Sequence, residues 1–100
     1  MKERLGEIIW HLQERPEMYL YRVGDSHSYS SLVNYLMGFE IGIKAERVDG
    51  LTEFDLWVRG KIGEKFALCT YEYILQYMCK GDENLAVQRL FELLQEFCQE

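Results

Sequence analysis

Asp82-Glu83-Asn84-Leu85-Ala86-Val87-Gln88-Arg89-Leu90-Phe91-Glu92-Leu93-Leu94-Gln95-Glu96-Phe97 is the stretch that decides the fold class. Ala86, Leu90, Leu93, Leu94 and Phe97 recur three and four residues apart, while Gln88, Arg89, Glu92, Gln95 and Glu96 fall on the other side. That spacing lays one apolar stripe along a helix, and the stripe must be buried against another element. Asp82 stands where an N-cap is needed, because its carboxylate can accept from a first-turn N–H that has no partner within the helix. Lys80-Gly81, just upstream, closes the element before it.

Working back along the chain, the same pattern repeats. Thr70 is placed to cap a helix carrying Tyr71, Ile74, Leu75 and Met78. Thr52, with Asp55 three residues on, approximates a capping box for a helix bearing Phe54, Trp57, Val58 and Ile62, whose last turn Gly60 and Gly63 weaken. Ser28 or Ser30 caps a helix with Leu32, Tyr35, Leu36, Phe39 and Ile43 inward. Lys44 and Arg47 suit the C-terminal end of that helix, and Gly50 is its natural terminator. Leu5, Ile8, Ile9 and Leu12 form the first stripe, and Pro16 ends it by disfavouring the helical conformation at Arg15. The stretch from Glu17 to His27 has no obvious strand to pair with and reads as an ordered loop. The expected architecture is all-α, an irregular bundle of about five helices in one domain spanning residues 1–100.

Composition narrows the function. A chain with 48% hydrophobic and 28% charged residues is globular, not disordered. The formal charge of −6 is a handicap for holding phosphates, so no nucleic acid is expected as a partner, whereas a basic surface would be steered toward it. The N-terminal run Met1-Lys2-Glu3-Arg4-Leu5-Gly6-Glu7 is too charged for a signal peptide, and the apolar runs fall short of the ~20 residues that span a bilayer. Cys69, Cys79 and Cys98 are an odd number without metal-ligand spacing. Together these point to a cytoplasmic protein with reduced, buried or semi-buried thiols.

Each candidate for chemistry has an ordinary explanation. Asp25-Ser26-His27-Ser28 contains the groups of a hydrolase triad, but neighbours in a turn rarely converge on one point, and turns and caps favour Asp and Ser anyway. His11 near Glu7 and Glu14 lacks the further ligands a dedicated metal site needs. Cys69, ahead of a helix start, and Cys79, beside Lys80, have settings that favour a thiolate, although buried structural cysteine is commoner. Gly38 and Gly42 make a GxxxG pair in a helix with charged neighbours, which reads as close helix packing inside the protein. No catalytic residue, metal or cofactor is expected, and the chain reads as a binder, not an enzyme. Among the seven tyrosines, Tyr21, Tyr29 and Tyr73 fall off the apolar stripes and could anchor a partner.

Several motifs resemble one group of proteins. Arg15-Pro16-Glu17-Met18-Tyr19-Leu20, then Ser31-Leu32 and Gly38-Phe39, resembles the opening of small helical immunity proteins of bacterial contact-dependent growth inhibition and polymorphic toxin systems. Phe54-x-x-Trp57-Val58-x-x-Lys61-x-Gly63 and the closing Ala86 to Phe97 are similar to their later segments, with Leu90 where an aromatic is common and Tyr71 or Tyr73 where a tryptophan is expected. The resemblance implies an antitoxin that binds one cognate toxin domain, commonly a nuclease, and blocks its active site or substrate groove. Under it Arg15, Pro16, Tyr19, Phe54 and Trp57 are structural, and the partner-facing residues lie between them. Charge and position relative to the stripes select Asp25, Glu46, Asp49, Glu53 and Asp55, with Tyr21 and Tyr29 as anchors. The alternatives are an acidic regulatory adaptor or nucleic-acid mimic bound to a housekeeping protein and, more distantly, a small enzyme using Cys69 or His27.

Overall fold

Among the described residues five helices form, in the order the stripes predict. The computed structural model describes residues 1–15, 22–23, 26–63 and 68–100. Helix α1 spans Lys2–Glu14, α2 Tyr29–Gly42, α3 Glu53–Ile62, α4 Thr70–Tyr73 and α5 Glu83–Gln99. α4 runs directly into a π-helical turn, Ile74–Met78. The architecture is all-α, and the longest element is the one whose pattern is clearest in the sequence.

α5 is the centre of the bundle, packing against α1, α2, α3 and the π turn. Its buried set is Ala86, Leu90, Leu93, Leu94 and Phe97, each at most 1% exposed. Leu5, Ile9 and Leu12 from α1, Leu32 and Leu36 from α2, Phe54 and Val58 from α3, and Ile74 complete one core. Fully burying one such side chain contributes about 1.5–3 kcal/mol, so the amphipathic pattern and not helix propensity holds the bundle. The Phe97 ring meets Phe54 edge-on at 5.3 Å and Trp57 at 5.6 Å, which joins α5 to α3. At the rim of that contact Lys61 pairs with Glu96 and lies over the Trp57 ring, whose indole N–H donates to the Glu100 carboxylate.

The caps follow the sequence closely. Asp82 accepts from Leu85 N–H at 3.1 Å, Ser28 accepts from Ser31 N–H at 3.3 Å, and Thr52 and Asp55 form a full capping box. α4 departs from expectation, with Cys69 at its N-cap and Thr70 buried as its first residue. Its continuation also changes period. Cys79 N–H reaches back to the Ile74 carbonyl at 3.1 Å, five residues away, and the left-handed Lys80 and Gly81 (φ 53° and 83°) then end the element. The wider turn keeps Ile74 fully buried and leaves Leu75 and Met78 only half-buried.

Three further expectations are corrected. Arg22–Val23 finds its partner within the same stretch, pairing antiparallel with Ser26–His27 (β1 and β2), so the segment read as a loop contains two short paired strands. α2 ends at Gly42, well before Gly50, and the residues assigned to its last turns form a connector instead. Gly38 and Gly42 are exposed, and among the described residues a methyl group at either would meet nothing within 4 Å, so the GxxxG pair packs against no described helix.

Candidate functional site

The connector between α2 and α3, residues 43–52, is built from two turns. Ala45 N–H bonds the Glu40 carbonyl and Lys44 N–H the Ile41 carbonyl, both at 3.0 Å, which is a Schellman ending of α2 with Lys44 in the left-handed position that glycine usually takes. Val48 and Leu51 then exchange two backbone hydrogen bonds, 2.9 and 3.0 Å. Between them Asp49 and Gly50 both have positive φ, 53° and 79°, which defines a type I′ turn and is why Asp-Gly stands there.

This connector and the first turn of α3 enclose a recess of about 410 Å³. Ile43, Val48, Leu51 and Leu56 give it an apolar lining, together with Met1 from the chain's start and Ala45, and the charged residues Lys44, Glu46 and Glu53 line it as well. Val48 and Leu56 are 61% and 43% exposed, and Ile41 on the last turn of α2 is 71% exposed. None of these three lies on a core stripe. A chain of this size normally scatters such residues singly; here Val48 and Leu56 share one recess with two carboxylates.

The sequence-derived candidates divide accordingly. Glu46 and Glu53 line the recess and Asp49 is exposed on the turn beside it. Asp55 is half-buried and spent on the cap: its Oδ2 accepts from the Thr52 N–H at 2.9 Å and hydroxyl at 3.0 Å. Tyr29 is no surface anchor. It is 3% exposed, and its hydroxyl donates to the Tyr71 carbonyl at 2.7 Å across the core. Tyr21 and Asp25 lie outside the described residues. Tyr73 is half-buried and stacks on the exposed Tyr77 at 5.3 Å.

Beneath the connector lies a residue that sequence reasoning passed over. Glu40 is 4% exposed, yet it carries a carboxylate. Its Oε1 accepts from the Tyr71 hydroxyl at 2.8 Å and its Oε2 from Arg47 Nη2 at 3.1 Å, while Arg47 Nη1 donates to the Gly50 carbonyl at 3.2 Å. Burial pushes the Glu40 carboxyl up; the Tyr71 hydrogen bond pulls it down, the Asp55 charge pushes it up, and Arg47 pulls it down. Burial likewise keeps the Tyr29 and Tyr71 phenols neutral. The signal for Glu40 was its spacing, four residues after Leu36 and so on the buried stripe of α2. The signal for Val48 and Leu56 was the reverse, apolar residues off every stripe.

The remaining chemistry is sparse. Cys69 is exposed, against the expectation of buried thiols, whereas Cys79 is buried and Cys98 half-buried. Burial raises both the Cys79 and Cys98 thiols, which disfavours their nucleophilic form. Ser28, from the triad-like string, is occupied as the cap of α2. Among the described residues no group of three or more His, Cys, Asp or Glu side chains could hold a metal ion, and no helix is long and apolar enough to cross a membrane. The described molecule is thus a small helical bundle with an apolar recess lined also by two carboxylates, Glu46 and Glu53, and by Lys44. No family model, curated protein or solved structure matches the chain.

Proposed function

We propose that this chain is an immunity protein that binds and neutralises a basic toxin domain, a nuclease, by covering its substrate groove with the α2–α3 connector. The observation that carries the reading is the recess itself, with the exposed Val48 and Leu56 and the carboxylates of Glu46 and Glu53 together in its lining. A nuclease must present cationic groups to phosphate, and a carboxylate-bearing surface complements them. Complementary charge speeds the encounter, and partly exposed apolar side chains supply area to be dehydrated on contact. The net charge of −6 acts in the same direction at longer range.

The test is co-expression with the genetically linked toxin, scored by growth. Glu46→Lys, Glu53→Lys and Val48→Asp change exposed side chains, so their helical circular dichroism should match the parent while protection is lost. If all three variants protect as well as the parent does, the connector is not the inhibitory surface.

A further inference from the structure

The connector would be a poor docking surface if it moved freely. Its two turns are closed by local backbone bonds, the first of them to the end of α2, and Arg47 adds a side-chain tie from the second turn to the bundle. The guanidinium spans from the Gly50 carbonyl inside the I′ turn to the Glu40 carboxylate on α2. Tyr71, on α4, holds the other oxygen of the same carboxylate. The connector and the distant α4 therefore meet α2 at one buried acid.

That acid needs an explanation. Glu40 sits on the buried stripe of α2, where a leucine would pack without desolvating a charge. Replacing a buried ion pair with apolar residues is often neutral or stabilising, so such a pair contributes little to bare stability and is best attested where it fixes one arrangement. We infer that Glu40 is a positioning residue of the docking face: through Arg47 it braces the Val48–Leu51 turn and so fixes where Val48 and Asp49 are presented. The inference rests on the reading of the connector as that face.

The brace has a second consequence. With Arg47 turned toward Glu40, its charge is matched from below, and Glu46, Asp49 and Glu53 stay available to an incoming cation. A surface held in its bound shape also loses less freedom on association.

The test is amide hydrogen exchange on the full chain, with Glu40→Gln, Arg47→Gln and the double variant. Glutamine keeps the length of the glutamate and an acceptor for Tyr71 but lacks the charge that grips Arg47. Protection of the Val48 and Leu51 amides should fall about tenfold in each single variant, as expected when one charge-assisted hydrogen bond is lost. The double variant should fall no further, because both changes cut the same link. The α5 core amides should hold their protection. Unchanged exchange at Val48 and Leu51 in both single variants overturns the proposal, and so does an equal loss across α5, which is global destabilisation. Should Glu40→Gln not fold, Arg47→Gln at a side chain 42% exposed decides the matter by the same readout. Glu46→Lys and Glu53→Lys leave the brace intact and probe docking separately. Lost turn protection in Glu40→Gln or Arg47→Gln with growth protection against the toxin unimpaired in the same variant overturns the link between brace and docking, not the brace.

Discussion

Tyr71→Phe offers a sharp test of the buried Glu40 network, because its cost depends on pH in a direction the structure fixes. The substitution removes the hydroxyl that donates to Glu40 Oε1 at 2.8 Å and leaves the ring, which stacks near Phe54 at 6.4 Å, in place. Burial raises the Glu40 carboxyl above its unfolded value. An acid raised by folding leaves stability intact below the unfolded value, about 4.3, and erodes it as pH climbs through the folded one. Tyr71 is the main group pulling that value back down, so its loss lifts Glu40 further and extends the erosion to higher pH. When Glu40 is charged, the missing bond is a charge-assisted one, about 1.5–3 kcal/mol; when it is protonated, the bond is ordinary, about 0.5–1.5 kcal/mol. The gap between parent and variant should thus widen by about 1 kcal/mol from about pH 4 to about pH 7. Urea unfolding at both pH values measures it, and with a slope of about 2 kcal/mol/M the midpoint near pH 7 should drop by about 1 M. Tyr29→Phe is the control: it removes a bond of 2.7 Å to a neutral carbonyl, so its cost should not change with pH. A Tyr71→Phe gap equal at the two pH values, or a Tyr29→Phe gap that widens as much, would refute the reasoning.

Thr52→Ala should destabilise by about 1 kcal/mol through loss of the α3 cap, and Asp55→Ala should add little to it because both belong to one capping box; urea midpoints of the single and double variants check this. Gly38→Ala should raise stability by up to about 1 kcal/mol, since the glycine lies inside α2 and its new methyl meets nothing, and an unchanged or lowered melting temperature would contradict that placement. Under native conditions a soft alkylating reagent should label exposed Cys69 well before buried Cys79, with mass spectrometry reading the order; equal rates would mean that the π turn opens readily.

What was legible in the sequence was whatever depends on local spacing. The α5 stripe is buried residue for residue as its period demands, and Asp82, Ser28 and Thr52 cap where cap chemistry placed them. The misreadings lie where tertiary contacts override local preference. Lys44 takes a left-handed conformation that a glycine search would not find, so α2 ends early. Gly50 was read as a helix terminator, although with Asp49 before it the dipeptide is the signature of a I′ turn, and only the Val48–Leu51 pairing separates the two. Tyr29 was read by its position off a stripe, but the first residue of a helix can turn inward when a partner such as the Tyr71 carbonyl waits across the core. Of the acidic candidates, Glu46, Asp49 and Glu53 gather at one place, and what draws them together is the shape of the connector, which spacing does not encode.

The connector's two kinds of side chain cannot do the same work in binding. Exposed carboxylates such as Glu46 and Glu53 form pairs worth about 0–1 kcal/mol each and act chiefly on the rate of encounter, a contribution that salt screens. Val48, Leu56 and Ile41, at 61%, 43% and 71% exposure, hold the apolar area that a partner can still remove from water. At about 25 cal/mol per Å², burying what each of these side chains still exposes contributes more than an exposed ion pair supplies. Affinity should therefore reside in the apolar lining, and the sign of the partner's charge in the carboxylates. Glu46→Lys should then slow association and flatten its salt dependence, whereas Val48→Asp should speed dissociation at any salt. A face with only one of these two properties would be either an indiscriminate hydrophobic patch or a weak electrostatic one. The coincidence of both on a turn braced from beneath by Glu40 and Arg47 is what makes a single specific partner the natural inference.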